Sequence, residues 1–272
     1  MRAIESEKPV DERICFDPLA RRFAGTVPFV LIRLLAGYGE RRTRGALTFI
    51  VCRCRCFDDY LKEYLQSGTG QVVILGAGLD SRAYRDELLQ EAVRIFEVDH
   101  PATQARKIER VKKVVGSFPA NLDYVPVDFS NETLDKLLAC GFDKSLKTLF
   151  VWEGVTYYLD AEAVDSTLAW VRTSAAAGSS IIFDYQYLPA TVEPRKRNFA
   201  YAVLSRLSGE RRAFGIAKGG IADFLTARGF THVVEANARE LERLYCTGSN
   251  QGRTVAETYA IVHAEVGERG RA

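Results

Sequence analysis

The sequence predicts an α/β fold: an open, mostly parallel sheet with helices on both faces. Three observations predict it. From residue 71, short apolar runs alternate with helical stretches, the rhythm of strand–helix–strand units with right-handed crossovers. The first run, Gln71-Val72-Val73-Ile74-Leu75, ends abruptly in Gly76-Ala77-Gly78, as a buried strand entering a tight turn does. A second apolar run ends in Glu97-Val98-Asp99, which places an acid about 20 residues beyond the glycines.

The elements follow in order. Residues 1–66 read as a helical N-terminal cap. Asp17-Pro18 opens a helix carrying Leu19, Phe23 and Val27, apolar residues continue from Phe29 to Leu35, and an amphipathic segment runs from Ala46 to Leu65 until Gly68 and Gly70 break it. Residues 67–186 form the core. Its strands are expected at 71–75, 93–98, 123–127, 147–152 and 179–184, with helices at 80–91, 101–115, 131–140 and 161–176. After Asp184 the rhythm stops. Residues 187–218 hold prolines, the basic run Arg195-Lys196-Arg197 and several aromatics, and read as a lid insertion after the fifth strand. A helix at 219–228 and strands at 230–236 and 256–264 complete a seven-stranded sheet, the last two as an antiparallel pair joined through a polar stretch at 237–253. The charged end, 265–272, is expected to fray. The whole reads as one domain, 1–272.

Composition narrows the class. Of 272 residues 47% are hydrophobic, so a large core is available and disorder is disfavoured. The 37 basic and 35 acidic residues give a net charge of +2, which argues against a dedicated nucleic-acid binder. No run of about 18 apolar residues exists to cross a membrane, and the first residues lack the apolar stretch of a signal peptide, so a cytoplasmic location is expected. The cysteines do not form a disulfide pattern. Cys52-Arg53-Cys54-Arg55-Cys56 has no Cys-x-x-Cys unit and no histidine close in sequence, and no metal is expected there. On a helix Cys52 and Cys56 share a face and Cys54 points away.

In an open α/β sheet, ligands sit at the carboxyl ends of the strands. Here these ends carry Gly76 and Gly78, then Asp99, then Asp128-Phe129, then Glu153-Gly154 with Tyr157 and Tyr158 beyond, then Asp184-Tyr185. Acids or polar groups at successive strand ends are poorly explained by packing alone. Adenosine needs an acid for its ribose hydroxyls, an acceptor near its exocyclic amine and an apolar wall for its ring. Asp99, Asp128 and Phe129 supply these in turn. The third glycine of a dinucleotide pattern would fall at Ser81, so the turn suits S-adenosyl-L-methionine, which has no pyrophosphate, better than a nicotinamide cofactor.

The chain resembles the leucine carboxyl methyltransferase family, including its bacterial branch of polyketide-type O-methyltransferases. The resemblance rests on Cys52-Arg53-Cys54-Arg55 with Phe57-Asp58-Asp59, Leu75-Gly76-Ala77-Gly78-Leu79-Asp80-Ser81-Arg82, Phe96-Glu97-Val98-Asp99-His100-Pro101, Val127-Asp128-Phe129, and Glu153-Gly154-Val155 with Tyr158-Leu159. It implies a Rossmann-like class I methyltransferase that binds S-adenosyl-L-methionine through Arg53, Gly76, Asp99, Asp128, Phe129 and Glu153. Arg53 would take the methionine carboxylate and Glu153 would lie near the ammonium. The chain departs from the family in reading Arg-Cys-Arg where Arg-Thr-Arg is usual, and in having Phe16 where eukaryotic members often have lysine before Asp-Pro.

The acceptor is expected to be a small, partly apolar molecule, O-methylated on a carboxyl or hydroxyl group. Tyr158, Tyr185 and Tyr187 are the candidates to orient it. No His–acid pair suggests a general base, and no catalytic residue is assigned. Carbon or nitrogen methylation of an aromatic acceptor remains open in the same architecture. So do a nicotinamide-dependent oxidoreductase and a non-catalytic cofactor-binding protein. Protein carboxyl methylation is disfavoured by Phe16 and the short C-terminal region. No nucleic-acid or membrane partner is expected.

Overall fold

The computed structural model describes residues 1–25, 45–188 and 214–268. The expected helical continuation through Val27 and Phe29–Leu35, most of the lid with Arg195–Arg197, Phe199 and Tyr201, and the last four residues lie outside the described residues.

Seven strands form one sheet in the order β3-β2-β1-β4-β5-β7-β6. They are β1 (Gln71–Leu75), β2 (Arg94–Asp99), β3 (Leu122–Pro126), β4 (Thr148–Trp152), β5 (Ser180–Gln186), β6 (Phe230–Ala236) and β7 (Tyr259–Val266). The first five are mutually parallel; β7 runs antiparallel to both β5 and β6. Strand order reverses between β1 and β4, which opens a crevice at their carboxyl ends.

β1 and β4 are buried at every position, which is why they read as continuous apolar runs rather than alternating ones. Alternate side chains still feed separate cores. Val72, Ile74, Ile95, Val151 and Ile182 face one cluster; Val73, Leu75, Phe96, Trp152 and Phe183 face the other. The first cluster is covered by α3 (Ala46–Gln66), which follows the short α1 (Arg2–Ser6) and α2 (Ala20–Ala24). The second is covered by α8 (Ala161–Ser174), through Val164, Leu168 and Val171, and by α9 (Ile221–Thr226).

Helices were harder to delimit from sequence. The stretch 80–91 is two helices, α4 (Arg82–Arg85) and α5 (Glu87–Ala92). Asp86 divides them because its side chain accepts from Leu88 N and Leu89 N and so starts a new helix. α6 (Pro101–Val114) matches expectation, with proline in its first turn. The stretch 131–140 yields only α7 (Lys136–Ala139). Upstream of it, Asp128 holds Ser130 N and the Asn131 side chain, while Thr133 holds Asp135, local bonds that compete with a helix. The polar stretch 237–253 is a correction: it contains α10 (Ala238–Tyr245), capped by Asn237, which accepts from Arg239 N and Glu240 N.

Candidate cofactor site

The crevice is built from the ends of β1, β2 and β4 and the first half of α3. Gly76 N and Ala77 N both donate to Val98 O, bending the chain after β1 across the end of β2. Gly76 has φ +66°, and a Cβ there would collide with Val155, so the turn packs directly on the loop after β4. Gly78, at φ +42°, faces the opposite situation: a Cβ would meet only Gly76 O, at 3.8 Å. Its backbone is open to a ligand.

Asp99 closes this turn. One carboxylate oxygen accepts from Gly78 N and the other from His100 N, at 2.7 Å for the latter. Each oxygen keeps a second lone pair, which matches the demand of two ribose hydroxyls. Burial raises the Asp99 pKa above its ordinary value, against the two backbone N–H donors. Asp128 follows β3 and is held by Asn131 Nδ2 at 2.8 Å and Ser130 N at 3.0 Å. The Asn131 bond, followed by Ser130, lowers its pKa. Phe129 stacks on Trp152, ring centroids 6.4 Å apart at 26°.

Arg53 projects from α3 into a set of buried acids. Its Nε donates to Glu153 Oε1 at 3.0 Å, and its Nη1 donates to Asp184 Oδ2 at 2.6 Å and to Tyr157 Oη at 3.0 Å. Asp184 also accepts from Gly154 N at 2.6 Å, which ties the end of β5 to the loop after β4. Burial raises the Asp184 pKa despite the Arg53 charge beside it. The second oxygen of Glu153 stands 2.8 Å from Arg82 Nη1, out of line for a hydrogen bond, and is buried with no donor. This oxygen is ion-paired but accepts no hydrogen bond.

Burial alone would raise the Glu153 pKa, but the Arg82 and Arg53 guanidiniums outweigh it and hold the carboxyl at about 2, against an ordinary 4.5. A depressed carboxylate stabilises the fold above 4.5, and that contribution is lost as pH falls toward 2. The melting temperature should therefore decline across this window. A Glu153→Gln variant should show a shallower decline in the same thermal titration; an identical slope would remove Glu153 from the effect.

Several residues of this network carried no assigned role in the sequence reading. Arg82, at 0% exposure, contacts Asp58 Oδ1 at 2.7 Å and Asp80 Oδ2 at 2.5 Å as well as Glu153. Arg85 binds both oxygens of Asp58 at 2.8 Å. Arg2 donates to Leu79 O at 3.1 Å. The available signal was that Asp58, Asp80 and Arg82 lie inside the motif segments.

The three tyrosines are placed differently. Tyr158 is 39% exposed at the crevice and packs edge-on against Tyr157, centroids 4.7 Å apart. Tyr185 is buried, and its hydroxyl donates to Glu235 Oε1 at 2.5 Å; Tyr187 donates to the same oxygen at 2.6 Å. On β5, Tyr185 points to the face opposite Asp184. An open groove of about 450 Å³ lies at the other end of the sheet, by Gly70, Arg94 and Asn121.

Cys52, Cys54 and Cys56 are all buried and unbridged. Cys54 does point away from Cys52 and Cys56, but toward Cys15 rather than solvent. Burial pushes the Cys56 thiol up to about 12, so it stays protonated and is a poor metal ligand. Among the described residues no group of three or more His, Cys, Asp or Glu could hold a metal ion. Treatment with a chelator should leave the circular dichroism spectrum and melting temperature unchanged; a loss of signal would show that a metal supports the fold. Among the described residues no helix is long and apolar enough to cross a membrane.

A Rossmann-like seven-stranded sheet with an antiparallel last strand is the fold of class I methyltransferases. Within that class, the chain belongs to the leucine carboxyl methyltransferase family, whose model matches residues 1–172. It is 31% identical over 217 residues to YktD of Bacillus subtilis, which is provisionally named as an S-adenosyl-L-methionine-dependent methyltransferase, covering 79% of this chain and 71% of YktD. It is 36% identical over 182 residues to the similarly named SCO7813 of Streptomyces coelicolor, covering 66% of this chain and 63% of that protein. Among solved structures, the CMeT domain of the citrinin polyketide synthase aligns with a TM-score of 0.49 and 13% identity over 74% of this chain and 47% of that one, a likeness too low to bear on function.

Proposed function

We propose that the protein transfers a methyl group from S-adenosyl-L-methionine to an oxygen of a small molecule, with a carboxylate as the favoured acceptor group. The observation that carries the acceptor reading is the placement of the three histidines. His100 caps α6, accepting from Ala102 N at 3.2 Å, and His263 is buried against Tyr64. His232 lies on β6, away from the ends of β1 and β4. None stands where it would deprotonate an acceptor at the crevice, and a carboxylate needs no deprotonation at neutral pH.

The cofactor's sulfonium supplies an activated methyl group; the protein supplies alignment and exclusion of water. Asp99 would take the ribose hydroxyls through its two remaining lone pairs. Asp128 and Phe129 would meet the adenine amine and ring. Arg53 has Nε and Nη1 committed, which leaves Nη2 for the methionine carboxylate. Glu153 Oε2, which accepts no hydrogen bond beside Arg82, would meet the ammonium. Gly76 and Gly78 would let the ligand reach the backbone. Tyr158, half-exposed beside Tyr157, is the tyrosine best placed to touch an acceptor. Tyr185 and Tyr187 are turned to Glu235 and are less suited to that role.

A methyl-transfer screen with isotopically labelled cofactor tests this. Carboxyl methylation gives a product that releases methanol in base; a base-stable product from a hydroxyl, carbon or nitrogen acceptor would contradict the carboxylate assignment.

A further inference from the structure

Behind the glycine turn lies a buried ion pair that the cofactor contacts do not explain. Lys107 Nζ, on α6, stands 2.7 Å from Glu97 Oε2, on β2, and their side chains are 1% and 0% exposed. Tyr84 Oη donates to the same Glu97 oxygen at 3.3 Å, and Gln104 Nε2 donates to Glu97 O at 2.9 Å. Burying two charges is costly, and well-packed apolar side chains in their place are often as stable or more so.

Its position suggests another use. Lys107 Nζ also reaches Ala77 O, at 3.4 Å, and this carbonyl further accepts from Asp80 N at 2.7 Å. Ala77 C=O and Gly78 N–H are the two ends of one peptide unit. Trans geometry points them in opposite directions. Lys107 therefore holds the carbonyl end while Asp99 holds the N–H end. Glu97 and Asp99 are two apart on β2 and share a face, so one strand carries both anions of this arrangement. The ammonium also lies close enough for its charge to favour the ionised form of Asp99.

We propose that Lys107, anchored by Glu97, is a positioning residue for the cofactor: it fixes the Ala77–Gly78 peptide so that Asp99 is presented to the ribose. This rests on the reading of Asp99 given under Proposed function. With the turn held from behind, Asp99 keeps Gly78 N–H and His100 N–H while its remaining lone pairs face the ribose hydroxyls.

The test is calorimetric titration of the full chain with S-adenosylhomocysteine, alongside melting temperatures, for the unvaried protein, Glu97→Gln, Lys107→Met and the double variant. Lys107→Met leaves Glu97 buried and alone, so it should lose both stability and affinity. The double variant removes both charges. It should regain melting temperature yet still bind about tenfold more weakly than the unvaried protein, because the carbonyl keeps Asp80 N but loses the ammonium that holds it from behind. Glu97→Gln keeps the ammonium but loosens its anchor, so its affinity should fall between those of the unvaried protein and the double variant. Unvaried affinity in the double variant would reduce the pair to a structural role and overturn the proposal. Absence of binding by the unvaried protein would overturn the cofactor reading as well, so the two failures are distinguishable. The Lys107 ammonium resonance of the unvaried protein gives a reading that does not depend on variants folding. It should shift when S-adenosylhomocysteine binds, and an unmoved resonance would contradict the coupling.

Discussion

Replacing Arg53 with alanine should destabilise the protein by about 3–5 kcal/mol and abolish cofactor binding, because buried Asp184 would lose its cation and Glu153 one of its two. Asp184 is wholly buried and Glu153 is 10% exposed at its side chain, so water cannot take over for the guanidinium. The loss should appear as a lower midpoint in denaturant unfolding with an unchanged slope. Arg53→Lys separates the two effects. It keeps a charge against Asp184 but cannot serve Glu153, Asp184, Tyr157 and a ligand carboxylate together, since one ammonium does not reproduce the planar fork. It should fold yet bind S-adenosyl-L-methionine at least tenfold more weakly. Equal affinity would place Arg53 outside the site.

Removing the Asp99 carboxylate as Asp99→Ala should weaken cofactor binding by about 1–3 kcal/mol, roughly fivefold to 150-fold in Kd. The variant loses the ribose acceptors and also frees Gly78 N–H and His100 N–H, both now held by Asp99. Calorimetry with S-adenosylhomocysteine measures this directly, because no methyl transfer intervenes. Affinity that does not change would take Asp99 out of the ribose role.

β1 and β4 were legible because each is a short apolar run that stops at a glycine or an acid, and burial on both faces leaves that run uninterrupted; β3 and β6, partly exposed, were legible only through the strand–helix rhythm around them. The helices were less so. Asp86, Asn237 and the Asp128–Thr133 stretch each act through side-chain bonds to nearby backbone, and sequence periodicity does not register where such a bond starts or stops a helix. The acids at the carboxyl ends were visible because a strand end fixes their position. The cations that neutralise them were not: Arg82 and Lys107 look like ordinary solvated charges on amphipathic helices, and only packing shows both to be buried. Tyr185 illustrates what strand parity can add. One position beyond Asp184, it must face the other side of the sheet, where its hydroxyl meets Glu235.

The central claim is that this crevice binds S-adenosyl-L-methionine. Titration calorimetry of the purified chain with S-adenosyl-L-methionine, S-adenosylhomocysteine, NADH and NADPH tests it most directly. The expected result is micromolar binding of the two sulfur-containing cofactors and none of the nicotinamides. Binding of a nicotinamide cofactor, or of none of the four, would contradict the assignment of the glycine turn and Asp99.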